Sequence, residues 1–314
     1  MTWQPSADIS ALQERARLLQ NIRAFFIQRN VLEVSTPIIS SAANTDVHMD
    51  SIALHGLEHY LLTSPELPIK RLLAAGVGDC YQLGPVFRNA EVGRHHNPEF
   101  TMLEWYRLGF SMFDLMAEVE QFIEAYAGSS LSIKRYSYQA LFQEQLGFDV
   151  LEASAQRVNQ LLQEHGLWQV EQGLLDKDSA LDLLFSQAIA RQFPANQITS
   201  VYHYPASQAS LAMINADDPR TAERFEVYWG ELELANGFHE LANQDEQLQR
   251  FEQDNIERLN AGKPVMPIDH NFIAALDKGL PDCSGVALGV DRLLMKIMHK
   301  QHIKDVLSFA WTRV

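Results

Sequence analysis

Cysteine is almost missing from the chain. Cys80 and Cys283 are the only two in 314 residues, too few for a disulfide framework or a zinc site. No stretch approaches the roughly 18 consecutive apolar residues that a membrane span needs. The opening Met1-Thr2-Trp3-Gln4-Pro5 has neither the basic n-region nor the apolar h-region of an export signal. The chain is therefore expected in the reducing cytoplasm, with no membrane partner and with both cysteines as buried thiols. Basic residues are scarce too: 25 Lys and Arg against 40 Asp and Glu leave a formal charge of −15. Tight nucleic-acid binding needs a basic surface, so that charge disfavours it. Repeats and low-complexity tracts are also absent. What remains is 46% hydrophobic and only 21% charged, which excludes wholesale disorder and supplies a sizeable core.

Residues 10–29 predict a first helix. Ser10 with Gln13 has the form of a capping box, and Leu12, Ala16, Leu19, Ile22 and Phe26 recur at helical spacing. Asn30 is expected to end it in a left-handed conformation, with a strand over 31–34 halted before Pro37. From about 129 to 193 two helical patterns, 155–165 and 179–192, predict a helical insertion in the main domain. Strand-like stretches follow at 198–204, 224–228, 231–234 and 286–290, with helices over 246–260 and 291–299. Strands broken by helices, with hairpin signals, predict an α+β fold: an antiparallel sheet flanked by helices.

The segment 224–234, Arg-Phe-Glu-Val-Tyr-Trp-Gly-Glu-Leu-Glu-Leu, predicts a hairpin. With Trp229-Gly230 as a two-residue loop, Glu226 lies opposite Glu233 and Phe225 opposite Leu234. Phe225, Val227, Leu232 and Leu234 then give an apolar face, if a bulge or twist brings the two pairs together. Opposed like charges are destabilising. Two readings fit: a solvated acidic face, or a register that separates the pair, on one side; on the other, a divalent cation, since carboxylate pairs suit magnesium bound with nucleotide phosphates. The run Ala235-Asn236-Gly237-Phe238-His239-Glu240 adds a turn signal and a further carboxylate, which favours the second reading. His239 reads as a packed neighbour of the pocket.

Segment 84–100 is a strand, a polar loop rich in Arg, His and Asn, and a second strand, a composition suited to phosphate contacts. His95 and His96 say little about metal, because adjacent strand residues face opposite ways. Near the end of the chain, Gly285, Ala287 and Gly289 alternate on one strand face, which lets a flat ligand approach the backbone. Arg292 follows at the start of a helix. No GxxxxGK[ST] loop accompanies it.

Together these segments resemble the class II aminoacyl-tRNA synthetases, and within them the lysine type. Phe87-Arg88-Asn89 through the string HNPEFTMLE (96–104) resembles motif 2, and Gly285 through Arg292-Leu293 resembles motif 3. The helix–strand–Pro37 segment is compatible with motif 1, which implies a homodimer. The likeness covers nearly the whole chain, read as one catalytic domain over residues 1–314 with no room for the anticodon-binding OB domain of a lysyl-tRNA synthetase. Val201-Tyr202-His203-Tyr204-Pro205-Ala206-Ser207-Gln208-Ala209-Ser210-Leu211 and Cys283-Ser284-Gly285-Val286-Ala287 resemble more closely the paralogous branch that joins (R)-β-lysine to a lysine of elongation factor P.

The resemblance implies ATP and Mg2+ as cofactors, (R)-β-lysine or lysine as substrate, and elongation factor P rather than tRNA as acceptor. It implies Arg88 and Arg292 as catalytic residues that hold phosphate. Asn89, Asn97, Glu233, Leu234 and Gly289 are implied nucleotide contacts, and Glu226 with Glu233 the magnesium ligands. Ser64, Pro65, Glu66, Tyr106, Glu240 and Ala287 are the implied amino-acid pocket. Ala287 stands where lysyl-tRNA synthetases usually carry Gly. Motif 2 departs from the family's Arg-x-Glu: here it reads Arg88-Asn89-Ala90, with Glu91 one place late, so Glu91 or backbone groups must serve adenine. Three other readings stay open: a tRNA-charging enzyme, an ammonia-dependent amide synthetase, and a catalytically inactive amino-acid sensor or regulatory subunit. Ala90 speaks for the sensor; Arg88, Glu226, Glu233 and Arg292 speak against it.

Overall fold

In chain order the strands are β1 (Leu32–Glu33), β2 (Ile39–Ser40), β3 (Ile52–Ala53), β4 (Tyr60–Leu61), β5 (Cys80–Phe87), β6 (Glu99–Leu108), β7 (Ser132–Ser137), β8 (Gln197–Tyr202), β9 (Arg224–Trp229), β10 (Leu232–His239) and β11 (Cys283–Gly289). The α-helices are α1 (Ile9–Ile27), α2 (Glu66–Ala74), α3 (Met112–Tyr126), α4 (Tyr138–Leu146), α5 (Ala155–Glu164), α6 (Lys177–Leu184), α7 (Gln244–Asn260), α8 (His270–Lys278) and α9 (Val290–Ile297). These come from a computed structural model that describes residues 3–128, 130–169 and 173–314. Met1-Thr2, Ser129 (where the helical insertion was expected to start) and residues 170–172 within it lie outside the described residues.

An eight-stranded sheet runs β1-β5-β6-β11-β10-β9-β8-β7. Its six inner strands pair antiparallel, while β1 and β7 join the two edges in parallel. The α+β reading thus holds in this sheet. Alternation decides what each face does. Leu103, Trp105, Phe225, Val227, Val286 and Leu288 point to one side, where α1, α3 and α9 bury Ile22, Phe26, Phe122, Val119 and Leu294 against them. Glu104, Tyr106, Arg224, Glu226, Gly285 and Ala287 are the intervening residues, and they face the other side.

Local chemistry sets the helix starts. The expected capping box at Ser10 is corrected: Asp8 is the cap of α1, accepting from the backbone N–H of Ala11 at 2.7 Å, and Ser10 hydrogen-bonds the same carboxylate. Asn30 does take a left-handed φ of 55°. Residues 132–137 begin as strand β7 rather than as helix, because Ser-Ile-Lys-Arg-Tyr-Ser pairs with β8. The helices α4–α6 and the turns after Leu184 then enclose a second core around Tyr138, Phe142, Leu162, Leu181 and Phe185.

The hairpin register also differs from the expected one. Gly230 takes φ +57°, so the loop is Gly230-Glu231, and Trp229, buried in the core, pairs with Leu232. A bulge between Glu233 and Ala235 shifts the rest, so Glu226 faces Asn236 and Glu233 faces Tyr228. That bulge turns Leu234 and Ala235 into the same core as Phe225 and Val227. The two glutamates still share the outer face, diagonally placed rather than opposed.

Candidate active site

A cavity of about 760 Å³ opens over the polar face of the sheet, walled by α2, α7 and the segment 206–211. Its floor is acidic. Glu66 enters from the first turn of α2, Glu104 from β6 and Glu240 from the end of β10. Ser64 and Tyr106 donate to the two oxygens of Glu104, at 2.6 and 2.7 Å. Lys70, one turn along α2 and wholly buried, donates to Glu66 Oε1 at 2.7 Å and lies 2.5 Å from Glu240 Oε2. The second contact is an ion pair that engages Oε2, and Glu240 Oε1 has no hydrogen-bond partner.

Burial raises the Glu240 carboxyl to about 8 against the attraction of Lys70, with Glu66 and Glu104 pushing the same way. Burial likewise raises Glu104 to about 7, reinforced by Glu66 and opposed by its two hydroxyl donors. A cationic ligand would reverse these shifts. Because the folded pKa of Glu240 stands above the ordinary 4.5, its contribution to stability is present below that value and lost as pH rises through about 8. The expected result is a ligand-free protein whose melting temperature falls over that window. A diamino ligand stabilises most above it, which melting curves with and without ligand check.

The other end of the cavity carries an arginine, and Arg292 is not among the residues that line it. Arg88 lines it, with its guanidinium 5.1 Å above the Phe100 ring and 3.7 Å from Glu91, and its Nε is buried without a partner. Burial lowers its pKa, opposed by Glu91 and assisted by Arg292. Ala90 turns the loop at φ 60°, which is what brings Glu91 back towards Arg88. Arg292 donates to the carbonyl of Glu233 at 3.0 Å and of His95 at 3.3 Å, and lies 2.6 Å from His96 Nε2. It thereby ties the motif-2-like loop to β10. Gly289 caps α9 beside it.

The sequence profile of the tRNA synthetases class II (D, K and N) matches residues 5–313. The chain belongs to this family. The elongation factor P–(R)-β-lysine ligase of Yersinia enterocolitica is 49% identical over 316 residues, covering 98% of this chain and 97% of its own length. Proteins of the same name from Yersinia pestis and Yersinia pseudotuberculosis are each 48% identical with the same coverage. The mostly antiparallel sheet with its flanking helices is accordingly the class II synthetase catalytic fold.

Within that fold the cavity gathers Ser64, Glu66, Arg88, Tyr106, Glu240 and Ala287 from the sequence-based set. Pro65 caps α2 behind them. Other members of the set sit elsewhere. Asn97 is buried with its amide donating to Glu99 O and accepting from the Trp311 N–H, so it anchors the C-terminal segment. Asn89 is exposed, its backbone N–H bonded to Asp50 O. The Leu234 side chain packs in the main core.

The carboxylates expected to hold magnesium are unequal. Glu226 is buried, with Oε1 accepting from Arg224 at 2.6 Å and Oε2 from Tyr204 at 2.7 Å and from Tyr228. The charge conflict that suggested a cation is therefore relieved by Arg224. Glu233 is half-exposed, with Arg292 3.4 Å from one oxygen. The donor set fits a cation that takes one protein carboxylate and completes its shell with phosphates and water. It does not fit one held by both glutamates, and no cluster of three ligating side chains exists among the described residues.

Sequence reasoning missed Lys70, Glu104 and Arg224 as parts of the site. Two of them left a signal: Lys70 stands four residues after Glu66 beside apolar Ile69 and Leu73, and Glu104 interrupts the apolar Met102-Leu103-Glu104-Trp105 run. Both cysteines are buried, and burial raises the Cys80 thiol to about 12. His239 instead pairs with Asp282 at 2.7 Å.

Proposed function

We propose that this chain activates (R)-β-lysine with ATP as an adenylate and transfers it to the ε-amine of a lysine on elongation factor P. The observation that carries the reading is the pairing, in one cavity, of an acidic floor suited to a diamino acid with an arginine-lined end suited to phosphate. Full-length relatives near 49% identity bear that activity in their name, which supports the choice of substrate and acceptor.

The substrate ammonium groups sit against Glu66, Glu104 and Glu240, which leaves the carboxylate directed at Arg88. A carboxylate oxygen attacks the α-phosphorus, the bond to the bridging oxygen of the β-phosphate breaks, and pyrophosphate leaves. In this reading Arg88 and Arg292 stabilise the charge that develops. Magnesium bound with the phosphates at Glu233 would supply further neutralisation. The acceptor amine, neutral after losing its proton, then attacks the activated carbonyl; an amide forms and AMP departs. Desolvation at the cavity mouth favours the neutral amine. A cytoplasmic location and a homodimer complete the reading. Among the described residues no helix is long and apolar enough to cross a membrane, and Ile27, Leu32, Ile38 and Ile39 stay exposed on the segment assigned to the dimer.

Mass analysis of elongation factor P after incubation with the protein, ATP and (R)-β-lysine tests the proposal. A gain of one β-lysyl group is expected; an unchanged mass alongside active pyrophosphate exchange excludes the acceptor. The Ala287 methyl lines the floor, so Ala287→Gly should shift preference from β-lysine towards α-lysine by roughly tenfold, the worth of one methylene in a pocket. Comparative exchange rates with the two isomers check it.

A further inference from the structure

Lys70 is a strong charge at the floor that the mechanism leaves unused. Its side chain is 0% exposed, and it stands behind the carboxylates rather than on the cavity wall, so it does not touch a ligand. Burial alone would discharge the ammonium, yet Glu240 and Glu66 hold its pKa above the ordinary value. Around it stand Glu66, Glu240 and, against Ser64 and Tyr106, Glu104. The Tyr106 hydroxyl and the Cys283 thiol are the other titratable groups nearby, and burial keeps both neutral. Burial and mutual repulsion favour protonated Glu104 and Glu240 while the pocket is empty, and Lys70 opposes that bias.

We propose that Lys70 is a positioning residue that holds Glu66 and Glu240 as separate arms, each able to receive one ammonium of a diamino acid, and so makes the pocket select diamino over monoamino substrates. This rests on the reading of the cavity as the amino-acid site. The ammonium spans Glu66 and Glu240 and holds them apart as separate arms. Glu240 keeps Oε1 without a protein donor, which is the state a ligand ammonium would complete. Without Lys70 nothing opposes the repulsion among the three carboxyl groups, and the empty floor would hold about one more proton.

Lys70→Met removes the charge at similar length, and Lys70→Gln removes it while keeping N–H donors for the two carboxylates. Both variants should bind (R)-β-lysine at least tenfold more weakly, with ATP affinity unchanged within about twofold. Both should also lose about tenfold in preference over the analogue that lacks the second amine. Calorimetry in buffers of different ionisation enthalpy should show about one more proton released on binding than in the parent protein, because the relieved carboxyl must ionise again. Folded variants with parental affinity, preference and proton release would overturn the assignment. Should neither variant fold, the parent decides: release of more protons by the diamino acid than by the monoamino analogue supports two arms that ionise against the ligand, and equal release overturns them. A parent that binds no diamino acid at all removes the functional reading, and this assignment falls with it.

Discussion

Arg88→Ala lowers the rate of β-lysine-dependent pyrophosphate exchange by about 10²–10³-fold while leaving the melting temperature almost unchanged. The size follows from what such groups do: removing one preorganised donor from a developing oxyanion costs about that much in kcat. The small effect on stability follows from how little protein the guanidinium satisfies. Its Nε is buried without a partner, Glu91 is the sole carboxylate paired with it among the described residues, at 3.7 Å, and Phe100 only supports it from one side. A buried charge with an incomplete partner set is a poor contributor to folding, so truncation costs the fold little and the reaction much. Arg88→Lys should recover only a small part of the loss, because an ammonium cannot present the planar fork that grips two phosphate oxygens. Exchange assays and melting curves on both variants decide it. Parental exchange in Arg88→Ala would mean that Arg292 alone holds the nucleotide.

What could be read in the sequence follows from which interactions are local. The strand alternation of 285–289, the acidic residues of 226–240 and the Arg-rich loop at 88–96 are written in adjacent residues, and each does lie on the sheet face that forms the cavity or at its end. The register of the hairpin was not legible, because it turns on whether Trp229 enters the core or the loop. That choice is made by packing against residues distant in the chain. Sheet pairing brings Glu104 of β6 beside Gly285–Ala287 of β11, and α2 carries Lys70 to Glu240, far along the sequence. Asn97 adds contacts that its string does not announce: its amide donates to Glu99 O and accepts from the Trp311 N–H.

The acidic floor also yields the second large effect. Gly285→Ala should weaken diamino-acid binding by about 100-fold while ATP binding persists. A methyl at this position would stand 2.3 Å from the Tyr106 ring and 2.4 Å from Glu240 Oε1, closer than any Cβ tolerates, so both must move. Tyr106 is buried and hydrogen-bonded to Glu104, and Glu240 is held by Lys70 behind it. Either movement dismantles the arrangement that receives the ammonium groups. Overpacking of this kind costs up to roughly 3 kcal/mol, and at 1.4 kcal/mol per tenfold the upper end is about 100-fold in affinity. Ala287, two residues along on the same face, carries its methyl over the open cavity, so the restriction is local to the strand segment that Glu240 crosses. The ATP end is lined by Arg88 and lies beyond the clash, which is why the two ligands should respond differently. Separate calorimetric titrations of each ligand measure the split. Undiminished β-lysine binding in a folded Gly285→Ala protein would show that Tyr106 and Glu240 give way freely, and that the ammonium groups are received elsewhere in the cavity.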